Sequence, residues 1–409
     1  MEKVFKVLQP KYYTRFQCDP DNCQESCCER WRIIIDKSTY DKYIQSQNGI
    51  IKGIVKEGLT MNPTSLDAND YGIINLNKEM ICPFLNTNNL CEVYINMGEN
   101  SLSKTCKTYP RTIVQVGDVV ERGLEMSCSV AAKEALINNK PIELESIMDS
   151  IDFNNLYVVS SPIKDLKQIE MINEIRRTII NLLQMPKTEL SERIISVGGF
   201  LEEILKIDFS NPHFEEVLLM IKDVGKQMDV GDFKTIIKNK QQSKNLRQFH
   251  HLNTLLAMKF REGDSISFFS KGYIECLMEV LDAFSGKKEL EKYYKRSYEK
   301  YLRPYLDKNS YILENFMVNT VFVYSRELLN LKDLWTSYLK LCVIYGLVKF
   351  NLIGLAAYHK GMNDELLLKL IQSFSKTFIQ DKVYWQSVFE YLQEEGLVKL
   401  NSLIELITE

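Results

Sequence analysis

Eight of the ten cysteines in this 409-residue chain fall within its first 128 residues, and no histidine shares that stretch. They are Cys18, Cys23, Cys27, Cys28, Cys82, Cys91, Cys106 and Cys128. Cys276 and Cys342 stand alone in the long remainder and read as core residues of apolar helices. So many unpaired thiols are an oxidation liability, and their crowding needs a chemical use. Two uses fit: an all-thiolate metal or iron–sulfur site, and a disulfide framework.

The spacing narrows the choice. The order is Cys18-x4-Cys23-x3-Cys27-Cys28, then Cys82-x8-Cys91, then Cys106 and Cys128. Thiolates are soft ligands that suit zinc or iron–sulfur clusters, and four of them complete either. Eight supply two sites, or one site with cysteines to spare. Small zinc modules usually pair two CxxC knuckles; none occurs here, and the missing histidine removes mixed Cys/His zinc sites. Cys82-Pro83 and the wide later spacing lean toward an iron–sulfur cluster, with zinc as the alternative. Neighbouring side chains diverge, so Cys27 and Cys28 are expected to serve different purposes. The spacing CxxxCxxC of radical S-adenosylmethionine enzymes is not completed, because Arg30 stands where its third cysteine belongs. The plain alternative to chemistry is a metal that only staples a poorly packed module.

Other polar groups are less telling. Tyr12, Tyr13, Arg15 and Phe16 precede the first cysteines, and Tyr109-Pro110-Arg111 follows Cys106. They could serve cluster sulfurs or line a substrate pocket; the plain reading is packing and surface pairing. His213, His250, His251 and His359 lack ligand-spaced neighbours and read as structural. There is no G-x-G-x-x-G and no phosphate loop.

The elements that must position these residues divide at about residue 135. Residues 1–135 are turn-rich, at Asp19-Pro20-Asp21-Asn22, Asn62-Pro63-Thr64 and Asn86–Asn89, and read as a small cysteine-rich α+β metal-binding module. Trp31–Ile35 and Tyr71–Leu76 are expected strands. Ile113–Val116 and Val119-Val120 flank a Gly117-Asp118 hairpin turn. Asp36–Ile54 is expected to be helical, with Ser38 as a possible N-cap. Residues 136–409 carry three- and four-residue apolar spacing throughout and predict an all-helical array. The expected helices are Leu166–Leu183, Leu190–Leu205 (with a bend or packing point at Gly198-Gly199), Phe214–Val224, Leu252–Phe260 and Ile274–Phe284. Tyr311–Leu329, Lys332–Leu355, Asp364–Phe378, Lys382–Glu394 and Leu397–Leu406 follow. The fold class is therefore mainly α.

A formal net charge of −3 gives no general basic field, so no nucleic-acid partner is expected. The N-terminus lacks the apolar run of a secretory signal. Leu341–Tyr358, the best membrane-span attempt, contains Lys349 and Asn351 and reads as a buried helix. A cytoplasmic, reducing compartment is expected, which favours metal over disulfides.

The chain resembles the flagellin lysine N-methylase family. The residues that carry the resemblance are YYTRFQC ending at Cys18, CCERWR from Cys27, CPFL from Cys82, the Leu90-Cys91 pair, LSKTCKTYPR around Cys106, and Cys128 after the hairpin. RRTIINLLQ, LSERIISVGGFLE and YEKYLRPYL add to it in the helical part. The cysteine pattern is also similar to a broader class of zinc- or iron-chelating cysteine-cluster proteins. The resemblance implies methyl transfer to flagellin lysine ε-amines with S-adenosylmethionine as donor. It also implies an iron–sulfur centre, 4Fe–4S in type, on the eight cysteines. It places no catalytic or donor-binding residue. The competing readings are a non-enzymatic, redox-responsive cysteine-cluster protein that binds a partner, and an electron-transfer protein.

Overall fold

The computed structural model describes residues 4–19, 23, 25–65, 67–138, 140–186, 188–209, 213–227, 247–260, 269–324 and 333–408. The first strand, β1 (Val4–Pro10), lies between two partners far from it in sequence. It pairs in parallel with β6 (Val119–Leu124) and antiparallel with β7 (Leu144–Ser150). β6 forms the expected hairpin with β5 (Arg111–Val116). Gly117 takes φ +60° in its turn, which glycine adopts without a Cβ penalty. β8 (Val159–Ser160) adds to β5 in parallel and completes the order β7-β1-β6-β5-β8. The sheet thus draws strands from beyond residue 135.

Within the cysteine-rich part a second, three-stranded sheet has the order β2-β4-β3, from Ile34–Ile35, Gly72–Ile74 and Leu59–Met61. The helix expected over Asp36–Ile54 is two helices, α1 (Lys37–Ile44) and α2 (Gly49–Gly58). Asp36, rather than Ser38, caps α1; its carboxylate accepts from Thr39 N at 3.0 Å. Asn48 caps α2 by accepting from the backbone of Ile50 and Ile51. Two capping side chains twelve residues apart divide the run. Ile33, Ile35, Tyr43, Ile51, Phe84 and Val93 form the core of this part. The short helices α3 (Glu92–Met97), α4 (Lys104–Thr108) and α5 (Ser129–Leu136) complete it.

The remainder is helical, as its periodicity predicts. In order come α6 (Leu166–Leu183), α7 (Leu190–Ile204), α8 (Phe214–Gln227), α9 (Arg247–Met258) and α10 (Lys271–Phe284). α11 (Leu290–Ser297), which the apolar pattern does not show, is mostly polar and buries only Tyr294 and Ser297. Then follow α12 (Arg303–Val323), α13 (Leu334–His359), α14 (Asp364–Phe374), α15 (Lys382–Glu394) and α16 (Leu400–Ile407). The end of the expected Tyr311–Leu329 helix, the start of Lys332–Leu355 and the Pro20-Asp21-Asn22 turn lie outside the described residues. Gly198 is a packing point inside a continuous helix: a Cβ there would collide with the Tyr338 ring and with Leu400.

α13 is long and apolar enough to cross a membrane, yet 94% of its most apolar stretch is buried inside the protein. Two of its polar residues find partners there. Asn351 donates to Leu347 O at 2.7 Å, and the Lys349 ammonium lies 4.8 Å from the centre of the Tyr298 ring. One continuous apolar core joins these helices to Tyr12, Phe16, Leu124 and Met126, so the large sheet and the helices share an interior.

Candidate functional site

The eight N-terminal cysteines lie in two neighbouring groups, with Cys18 near enough to Cys28 to feel its charge. Cys28, Cys82 and Cys91 pack on the small core around Phe84 and Val93. Cys82 N donates to Cys28 O at 2.8 Å, and Leu85 bridges Cys91, so two loops and the start of α3 are stitched together at the backbone. Cys106 joins them from α4, where the Ser103 side chain accepts from its N–H at 3.1 Å. Burial pushes the Cys106 thiol up to about 12, with Cys28 and Cys91 adding like-charge repulsion. Cys106 nonetheless keeps exposed surface, which places it in a recess rather than beneath a closed core. These four thiols form an inner set.

Cys18, Cys23 and Cys128 form an outer set. Cys128 packs on the large core at the start of α5. Burial raises its thiol, with Cys23 and Cys18 contributing further. Cys27 stands between the sets, close enough to both Cys106 and Cys23 to feel their charge. Its thiol donates to Cys28, which lowers Cys28 and raises Cys27. Cys27 and Cys28 occupy a turn, near enough for each to shift the other's thiol. All ten cysteines are free thiols. Among the described residues no three His, Cys, Asp or Glu side chains stand at metal-holding distance, so a metal site is not shown. The donor chemistry of the inner set, four thiols without imidazole, fits a soft-metal group in kind.

Glu25 is the centre of the contact between the thiol loops and the helices. Glu25 accepts from the Ser270 hydroxyl at 2.7 Å, from Lys271 N at 2.9 Å and from Gln372 Nε2 at 3.1 Å. Its charge lies 3.7 Å from the buried Lys376 ammonium, which also donates to Ser26 O. Arg30 donates to Phe269 O at 3.0 Å. Lys376 lies in the π-helical stretch Ser375–Ile379, an irregularity often found at functional sites.

Beside this dock lies a group of tyrosines around Glu125. Tyr324 donates to Glu125 Oε2 at 3.2 Å, and Gln380 Nε2 donates to Glu125 Oε1 at 3.1 Å. Tyr109 bonds Ser127 Oγ at 3.0 Å and packs on Trp31, whose indole donates to Cys27 O. Burial raises both tyrosines, Tyr109 with Cys128 and Cys27 nearby and Tyr324 with Glu125 nearby. Tyr12, fully inside, donates to Asn319, which in turn donates to Leu124 O. Of the aromatic candidates, Tyr109 and Tyr12 therefore face this interior. Arg15 pairs with Glu134 at an exposed position, Arg111 lies 4.8 Å from the centre of the Phe16 ring, and Tyr13 packs near Arg122. Sequence reasoning passed over Glu125, Tyr324 and Gln380, because nothing local marks them. His251 bonds the Tyr391 hydroxyl and His359 pairs with Glu279, structural roles both.

A family model for the C-terminal domain of FliB lysine N-methylase matches residues 176–406. The chain belongs to the FliB lysine N-methylase family. The match covers most of the helical array and does not reach the eight N-terminal cysteines. The lysine-N-methylases of Salmonella typhimurium and Salmonella choleraesuis are each 24% identical over 293 residues, covering 69% of either chain. The flagellar biosynthetic protein FliU of Salmonella muenchen is 30% identical over 127 residues, 31% of this chain and 74% of that protein. No solved structure matches. The names these FliB relatives carry support a lysine methyltransferase.

Proposed function

We propose that this FliB-family chain methylates lysine ε-amines of flagellin with S-adenosylmethionine as donor. The match over residues 176–406 carries the reading, and the flagellar name of the FliU relative supports the substrate. The bond that breaks joins the donor's sulfonium sulfur to its methyl carbon; the bond that forms joins that carbon to lysine Nζ. The sulfur leaves as a neutral thioether. The ammonium must first lose a proton to free its electron pair. A site for this reaction has to draw a cationic side chain out of water and align it in line with the donor. The half-buried Glu125, held by Tyr324 and Gln380 at the dock between thiol loops and helices, has the chemistry for the first task.

The proposal includes an iron–sulfur group on the inner thiols, Cys28, Cys82, Cys91 and Cys106, with zinc as the competing occupant. Such a group would tie three loops together at the dock and could polarise what binds beside it. Cys18, Cys23, Cys27 and Cys128 are the remaining thiolate donors. The reading places the protein in a reducing, cytoplasmic setting. Protein purified without oxygen, given flagellin and donor labelled in its methyl group, should place label on lysine. Absence of transfer from metal-replete protein would overturn the methylase reading. Iron with acid-labile sulfide supports the cluster, and stoichiometric zinc alone replaces it.

A further inference from the structure

We infer that Arg111, backed by Phe16 and flanked by Tyr13 and Arg122, binds the carboxylate at the amino-acid end of the methyl donor. This deepens the methylase reading and rests on it.

The geometry comes from the hairpin. The β5–β6 register sets Arg111 opposite Leu124 and Ile113 opposite Arg122. Arg111 and Arg122 are therefore diagonal neighbours on one face of the sheet, about 7–8 Å apart. The 3₁₀ turn Lys11–Arg15 and the residue after it supply a ring to each. The Arg111 guanidinium lies 4.8 Å from the centre of the Phe16 ring, and that of Arg122 lies 5.6 Å from the centre of the Tyr13 ring. Both cations reach the Tyr13 hydroxyl: burial raises it, and the charges of Arg122 and Arg111 pull against that rise.

The charges do not balance. Arg122 pairs with Asp149 at 2.7 Å, whereas Arg111 has no carboxylate at ion-pair distance among the described residues. Two cations on one face repel each other, and an incoming anion relieves the repulsion. Phe16 covers the flat face of the Arg111 guanidinium and leaves its edge of N–H donors, which a carboxylate meets in a two-bonded fork. Arg111 is half-buried, so the fork acts partly out of water while its approach stays open.

The position favours the donor. Arg111 follows Tyr109-Pro110, and Tyr109 bonds Ser127, the neighbour of Cys128. Burial raises the Cys18 thiol, Cys23 adds to the rise, and Arg111 is near enough to oppose it. The site therefore borders the outer thiols. Of the two substrates, lysine brings an ammonium, which a pair of guanidiniums repels. The donor brings a carboxylate, with its sulfonium at the far end of a short carbon chain. Acidic side chains of flagellin carry the same carboxylate chemistry, so the test separates the two sources.

The test uses full-length wild type, Arg111→Gln and Arg111→Lys, each purified without oxygen and checked for native thermal unfolding. Calorimetry reads the binding of S-adenosylhomocysteine, which keeps the amino-acid end, and of 5′-methylthioadenosine, which lacks it. Wild type should bind the first more tightly. Arg111→Gln should weaken S-adenosylhomocysteine by about tenfold or more, the usual effect of losing a charge-assisted fork, and leave methylthioadenosine unchanged. Arg111→Lys, which keeps the charge and loses the fork, should fall between. In turnover, KM for the donor should rise and KM for flagellin should not. Equal S-adenosylhomocysteine binding in wild type and Arg111→Gln would overturn the inference while leaving the methylase reading intact. A rise in KM for flagellin alone would assign the site to the protein substrate and overturn it too. Binding that needs both Arg111 and the amino-acid end, without methyl transfer to flagellin, would uphold the site and overturn the reading.

Discussion

At the scale of single residues, the thiols separate by what surrounds them. Cys82 sits in a dry core with Cys28, Cys91 and Cys106 close by, and Cys276 and Cys342 sit in equally dry helices with no second cysteine near. Cys82→Ser and Cys106→Ser should therefore abolish most bound iron, whereas Cys342→Ala should cost stability and leave iron unchanged. Metal analysis of the anaerobic variants checks this; iron that survives both inner-set changes would move the site to the outer thiols. The residue types were legible in the sequence, because eight thiols without histidine admit few uses. The division into sets was not. It depends on the turn at Cys27-Cys28 and on the Ser103 cap that sets Cys106, neither of which spacing alone reveals. Glu125 and Tyr324 were still less visible, since 199 residues separate two side chains that only the folded chain brings together.

At the scale of elements, caps and close approaches decide what periodicity leaves open. The apolar spacing located α6 and α7 to within a residue or so, because long amphipathic helices announce their buried face. It merged α1 with α2, because the break is made by Asp36 and Asn48 as caps. Asp36 also accepts from Lys104 N at 3.1 Å and so holds α4, the helix of Cys106, against α1. Burial opposes its charge, but hydrogen bonds from Ser38, Lys104 and Thr39 outweigh it and hold its pKa below the usual carboxylate value. A depressed carboxylate adds stability that is present above its unfolded value, about 3.9. That stability is lost as pH falls through the lower folded value. Asp36→Ala should cost about 1–2 kcal/mol at neutral pH. The gap from wild type should close as denaturation is repeated at lower pH; a gap that stays constant into acid would show that the charge plays no part. A second element-scale test contrasts two glycines. Gly198→Ala drives a methyl group into Tyr338 and should cost about 1–3 kcal/mol. Gly53→Ala, on an exposed face of α2 with nothing near, should gain about 0.5–1 kcal/mol. Equal effects on the unfolding midpoint would mean that helix propensity, not contact, governs Gly198.

At the scale of the whole molecule, the question is what makes sheet, thiol loops and helices one object. Buried ion pairs supply part of the answer. Arg176 of α6 grips Glu121 of β6, with Nη1 to Oε2 at 2.8 Å, and Arg193 of α7 reaches Glu314 of α12. Such pairs contribute little net stability, but losing one partner strands a buried charge. The dock at Glu25 differs because it joins elements nearly 350 residues apart in sequence. Four groups from α10, its cap, α14 and the π-helical stretch converge on that single carboxylate. Glu25→Ala leaves the Lys376 ammonium without its counter-charge and the start of α10 without its acceptor. It should destabilise the protein by about 3–5 kcal/mol. Local opening should appear where the lock was. Amide exchange should rise together in the Cys23–Trp31 loop and at the start of α10, while the β5–β6 hairpin stays protected. Faster exchange in the loop alone would show that Glu25 only orders its own segment, and that the shared core around Tyr12, Phe16 and Met126 is what unites the two parts.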